Sequence, residues 1–299
     1  MPRTTHAAAG RARRSPGRSL RRATVVMATL ALAVAVTGTG GAPAVAAPAS
    51  ATSAPSSRAA SGAPEVRYRP IDPRALAGRT AAPARAASGG GRYNVNGYNW
   101  GGYVMTAGNA ATAPFGGAVA AAADWIEPTV TCSHPDDVFA PWVGLDGDGS
   151  PTVEQLGVQT DCFRGAAAYQ LWTEMYPAAP VYQSTTTYPV GPGDHMEAGV
   201  QYSGGTFYLT MRDITRGWVY LSQATMSGAQ RVSAEAIVEA PTGAYPNFGT
   251  LNFTSTQLNY GPIGQEPVTA LDPSYLGVFQ ARTNPTDSQG NWSMTYLHE

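Results

Sequence analysis

From Tyr93 onward, apolar and polar residues alternate with a period of two, in short runs cut by glycine and proline. Successive side chains on a β-strand point to opposite faces, whereas a helix brings apolar residues back every three to four positions. The rhythm therefore restricts this stretch to half-buried strands. In Tyr169–Tyr176, Tyr169, Leu171 and Met175 share one face, and Trp172, Glu174 and Tyr176 share the other. Phe207, Leu209 and Met211 alternate with Tyr208 and Thr210, and Trp218–Ser222 reads as a further strand. Gly191-Pro-Gly193, Gly204-Gly205 and Gly261-Pro262 mark turns. No long segment has helical periodicity and no internal repeat is present. Residues 92–299 are predicted to form one all-β domain, an antiparallel β-sandwich.

The charges are segregated. The chain holds 19 basic and 20 acidic residues, with no lysine. Fourteen of the arginines lie in residues 1–92, against Glu65 and Asp72 alone. Residues 93–299 hold five arginines and 18 acids, a formal charge of −13. Such a domain repels itself at neutral pH. Below about pH 4 ordinary carboxylates become largely neutral, so the composition suits acid surroundings.

Arg11–Arg22 form a basic region, Ala23–Val36 is apolar but too short to span a bilayer, and Ala44-Val45-Ala46 offers small residues for cleavage. Residues 1–46 read as a signal peptide, by a Sec or twin-arginine route, which implies secretion. Residues 47–91, rich in Ala, Pro, Ser, Gly and Arg, are expected to be disordered and serve as a basic pro-segment or a plain linker. No later segment predicts a membrane span. Cys132 and Cys162 are the two cysteines, and an exported chain with an even pair is expected to join them in a disulfide.

Several motifs are missing. There is no Gly-x-Ser-x-Gly, His-Glu-x-x-His, Asp-Thr-Gly or phosphate-cradling loop, and His134, His195 and His298 lie beside no nucleophile signal. What remains is carboxylates and side-chain amides. In Ala234–Glu239 an extended chain points Glu235, Ile237 and Glu239 to one face and Ala234, Ala236 and Val238 to the other. The small apolar face fits a core. The glutamate face must look into a cleft or into water.

Five stretches, taken in order, resemble the glutamic peptidases (eqolisins). They are Asn99-Trp100-Gly101-Gly102, Trp142-Val-Gly-Leu-Asp146-Gly-Asp148, Gln155-Leu-Gly157, Trp172-Thr-Glu174-Met-Tyr-Pro177 and Ala234-Glu235-Ala-Ile-Val-Glu239. Two features depart from the pattern: Ala236 stands where an aromatic is expected, and the Asp146-to-Gln155 loop is one residue shorter. The resemblance implies two curved antiparallel sheets of concanavalin-like or jelly-roll type, with substrate on the concave face. It also implies Gln155 and Glu239 as a catalytic dyad, with Trp100, Trp142, Asp146, Glu174 and Glu235 binding substrate or supporting the site.

The residue types suit amide hydrolysis. A carboxylate at Glu239 can take a proton from water and return it to the leaving nitrogen. The amide of Gln155 can donate to an oxyanion and hold the water through its carbonyl. Asp146 or Glu235 would tune the acidity of Glu239. Asp146-Gly-Asp148-Gly looks like half a calcium loop but lacks the distal glutamate, so a turn is the simpler reading. The expected protein is a secreted, monomeric acid endopeptidase acting on proteins or peptides. It would be insensitive to pepstatin, with no cofactor, no metal, no nucleic-acid partner and no membrane contact after export. The same aromatics and acids also permit a glycosidase or a non-catalytic carbohydrate-binding sandwich.

Overall fold

The computed structural model describes residues 94–107, 115–265, 267–275 and 277–298. All lie within one compact unit, Ser61–Glu299. The stretches read as signal peptide and pro-segment fall outside the described residues. Ile263–Gln265 forms a short 3-10 turn, and among the described residues no helix is long and apolar enough to cross a membrane.

The rest is an all-β sandwich. The first sheet has the order Val95–Asn96, Thr269–Asp272, Trp100–Thr106, Ser233–Glu239, Val138–Asp146, Val153–Phe163, Ala166–Tyr176, Val181–Tyr182. The second runs Trp218–Ala224, Thr206–Asp213, His195–Ser203, Ala120–Ile126, Thr250–Leu258, Trp292–Tyr296, Ala281–Thr283. Within both sheets the pairing is antiparallel except between Val95–Asn96 and Thr269–Asp272.

The main core lies between the sheets. Val143, Leu145, Leu156, Val158, Leu171, Ala236 and Val238 of the first sheet meet Ala123, Trp125, Val200, Leu209, Met211 and Phe253 of the second. Phe253 and Trp292 stack at 4.2 Å, and Tyr103 meets the Trp292 ring edge-on at 5.1 Å. Strands of the second sheet alternate buried and open residues, as Thr206–Asp213 does. The middle strands of the first sheet differ. Val138–Asp146 and Ser233–Glu239 are buried at every position. Their other face carries a second apolar cluster, Trp100, Val104, Trp142, Val153, Trp172, Tyr176, Ile237 and Leu271. That tryptophan-rich face also holds the acids and amides.

The disulfide Cys132–Cys162 is formed, with Cα atoms 5.4 Å apart. It ties the chain beyond Ala120–Ile126, a second-sheet strand, to the end of Val153–Phe163 in the first sheet. It therefore crosses from one sheet's connections to the other.

Candidate active site

Strand register places the functional side chains. Partners in an antiparallel ladder share a face. One row across the first sheet reads Val104, Glu235, Gly144, Gln155, Glu174. The next reads Gly102, Ile237, Trp142, Gly157, Trp172. A third holds Trp100, Glu239 and Ala140. Gln155 and Glu239 therefore share one buried face, with the Trp142 row between them. Both are fully buried.

Glu239 is fixed by two donors. Trp142 Nε1 donates to its Oε2 at 3.2 Å, and Asn99 Nδ2 donates to its Oε1 at 3.1 Å. Asn99 also donates to the Ala240 carbonyl at 3.1 Å and accepts from the Ala240 amide through its own carbonyl. The Tyr245 hydroxyl lies 2.7 Å from the Val238 carbonyl and 3.1 Å from that of Asn99, closing the end of the strand. In the sequence Asn99 stands only as part of a strand motif. Its contact is made across strands, so sequence neighbours gave no sign of it.

Gln155 donates through Nε2 to Glu174 Oε2 at 2.6 Å, while its Oε1 has no hydrogen-bond partner. The short charged contact aims the amide. One Nε2 hydrogen and the carbonyl remain for a ligand. The glycine two residues on has a packing reason. A Cβ at Gly157 would lie 2.6 Å from Trp142 Cβ and 2.2 Å from the Pro141 carbonyl, so the indole can sit only over a glycine. The shorter loop does not displace Gln155 from the row of Gly144. Ala236 faces the core between the sheets, so the absent aromatic leaves this face untouched.

Asp146 and Glu235 both accept hydrogen bonds from the neighbouring loops. Asp146 has φ +62° and stands at a strand end. Its oxygens accept from the amides of Gln230, Arg231 and Val232 at 2.7 to 2.9 Å, and from Thr152 Oγ1 at 3.3 Å. Glu235 Oε1 accepts from the Asp148 amide at 2.7 Å and from Ser233 Oγ at 2.8 Å. The two acids clamp the loop after Asp146 to the segment leading into Ser233–Glu239, a turn rather than a calcium loop. Glu235 is two same-face positions from Glu239, with Ile237 between. Trp100 is the ladder partner of Glu239.

Among the buried acids outside this face, two have strongly raised carboxyls. Glu154 lies on the core side, where burial, and then the charge of Asp146, push its carboxyl up to about 9. Glu127 accepts from Trp125 Nε1 at 2.8 Å, and burial pushes it up to about 8.

The fold is that of solved glutamic peptidases. It is similar to scytalido-glutamic peptidase bound to a transition state analog inhibitor, with TM-score 0.55 and 18% identity, covering 67% of this chain and 99% of that one. It is also similar to SCP-B, a member of the eqolisin family in complex with the tripeptide Ala-Ile-His, with TM-score 0.51, 17% identity and the same coverage, 67% and 99%. No curated protein matches the chain in sequence. The model of the Peptidase A4 family matches residues 98–287, and the chain belongs to that family, the glutamic peptidases. It is a glutamic-type endopeptidase whose substrates are proteins or peptides. This membership replaces the glycosidase and binding-module readings.

Proposed function

We propose that this chain is a secreted endopeptidase that cleaves peptide bonds at acid pH with Glu239 and Gln155. One observation carries the assignment. Glu239 is held by Trp142 and Asn99 on the same buried face as Gln155, whose carbonyl oxygen is free. In the proposed cycle Glu239 takes a proton from a water held by the Gln155 carbonyl, and the water oxygen adds to the scissile carbonyl. The free Nε2 hydrogen of Gln155 donates to the developing oxyanion. The proton on Glu239 then passes to the departing nitrogen, giving a carboxylic acid and an amine. Trp100, Trp142 and Trp172 supply apolar walls for substrate side chains. The −13 charge and the raised pKa values of Glu127 and Glu154 support an acid working range.

Casein digestion at pH 3 tests the reading. Cleavage should persist with pepstatin, a chelator and a thiol alkylating agent. Complete inhibition by any one of them would assign the chemistry to different groups.

The seven arginines of residues 58–92, which precede a −13 domain in sequence, favour a pro-segment held by charge. Each exposed pair is worth under about 1 kcal/mol and weakens in salt, so only several together would hold. Acidification neutralises the carboxylates and releases the segment. The expected result is a precursor stable at pH 7 that shortens by about 45 residues on acidification, the span from Ala47 to Arg92. Active enzyme that still begins near Ala47 would make the segment a linker.

A further inference from the structure

On the outer face of the second sheet, away from the core and from Glu239, three side chains of mixed type converge. Asp124 stands directly opposite Glu197 in the ladder between Ala120–Ile126 and His195–Ser203, and His195 is the same-face neighbour two residues before Glu197. Trp125 and Met196 of the same strands point the other way, into the core. One carboxylate oxygen from each acid and one imidazole nitrogen all lie within 4.8 Å of one another. All three residues are half-buried. We propose that Asp124, His195 and Glu197 form a binding site for a divalent transition-metal ion of the zinc class.

The donor set selects the ion. Calcium and magnesium take oxygen ligands, whereas zinc accepts imidazole nitrogen together with carboxylate oxygen. Three protein ligands and one water complete a tetrahedral zinc shell. The ladder supplies a second reason for a cation. Like charges directly opposite each other destabilise a sheet. Arg212, opposite Glu197 on the neighbouring strand, contacts Glu197 through Nη1 to Oε2 at 2.6 Å, and its charge also acts on Asp124. One carboxylate oxygen of each acid lies beside the imidazole. The site is also anchored. The His195 amide donates to Thr215 Oγ1 at 2.9 Å, and its carbonyl accepts from the Ile214 amide at 2.8 Å. A bound ion would bridge two adjacent strands and stabilise the fold without touching the catalytic face. Asp124 comes from a strand far in sequence from the pair His195 and Glu197, so the spacing of that pair alone does not announce the site.

The test is zinc titration of the full chain at neutral pH by calorimetry, with melting curves. Both cysteines are in the disulfide and offer no thiolate. The expected result is one saturable zinc ion per chain and a higher melting temperature. His195→Ala and Asp124→Asn should weaken binding by at least about 10-fold, while His298→Ala should bind as wild type. No saturable binding, unchanged affinity in the first two variants, or loss in His298→Ala would overturn the proposal. Cobalt-loaded wild-type protein gives a readout that needs no variant. A visible band of tetrahedral, nitrogen-ligated cobalt is expected, and an octahedral aquo-type spectrum would contradict the site.

Discussion

Asn99 and Trp142 hold the group assigned to take the proton. A donor aimed at a carboxylate favours its charged form. Trp142→Phe keeps an aromatic ring but removes the Nε1 donor to Glu239. The pKa of Glu239 should rise, and the acid limb of the rate profile should move to higher pH. Asn99→Ala should act in the same direction and lower kcat by up to about 100-fold through misplacement, with KM little changed. An unshifted profile in both variants would detach these residues from catalysis. Gln155→Ala removes a proposed oxyanion donor and should lower kcat by about 100- to 1000-fold. Glu174→Gln is a sharper probe, because it keeps the volume but weakens the 2.6 Å contact that aims Gln155.

At the scale of strands, the tryptophan face depends on a glycine. Gly157→Ala places a methyl against Trp142 and the Pro141 carbonyl, so backbone must move. Overpacking of this kind costs about 1–3 kcal/mol. It should lower both the melting temperature and kcat, because Trp142 also holds Glu239. Wild-type values for both would mean that the two strands separate freely. Breaking the Cys132–Cys162 bridge, which closes a separation of 30 residues, should cost about 3.6 kcal/mol in the chain-entropy model, read as a shifted denaturant midpoint. The faces of these strands were legible in the sequence, because period two fixes them. Tyr169, Leu171 and Met175 do pack in the main core while Trp172 and Tyr176 lie on the other face. The sandwich and the disulfide were legible too. The order of strands was not, since pairing joins segments far apart. Asn99 reaches Glu239 only because Trp100–Thr106 lies beside Ser233–Glu239. For the same reason the sequence could not show that Asp146 is occupied by the amides of residues 230–232, or that Ala236 faces the core.

For the molecule as a whole, two buried acids set the pH range of the fold. Glu127 and Glu154 have carboxyls raised from ordinary values near 4.5 to about 8 and about 9, chiefly by burial. The folded state therefore holds these protons more tightly than the unfolded chain. Their contribution is fully present below about pH 4.5 and is lost as pH rises through 8 to 9. The slope is at most about 1.4 kcal/mol per pH unit for each group. Melting temperature should fall from pH 4.5 toward pH 8, and Glu154→Gln should flatten the fall. A wild-type melting temperature that rises over this range would contradict the protonated state of both acids. Catalysis depends on the same molecule keeping Glu239 and Gln155 on one face, and a single substitution tests that claim most directly. Glu239→Gln keeps the size of the side chain and one acceptor oxygen for Trp142 or Asn99, while its NH2 group faces the other donor. Casein turnover at pH 3 by the purified variant should fall by about 1000-fold, within the range of general-base contributions, with an unchanged circular dichroism spectrum. Turnover near that of wild type in the folded variant would contradict Glu239 as the residue that activates water.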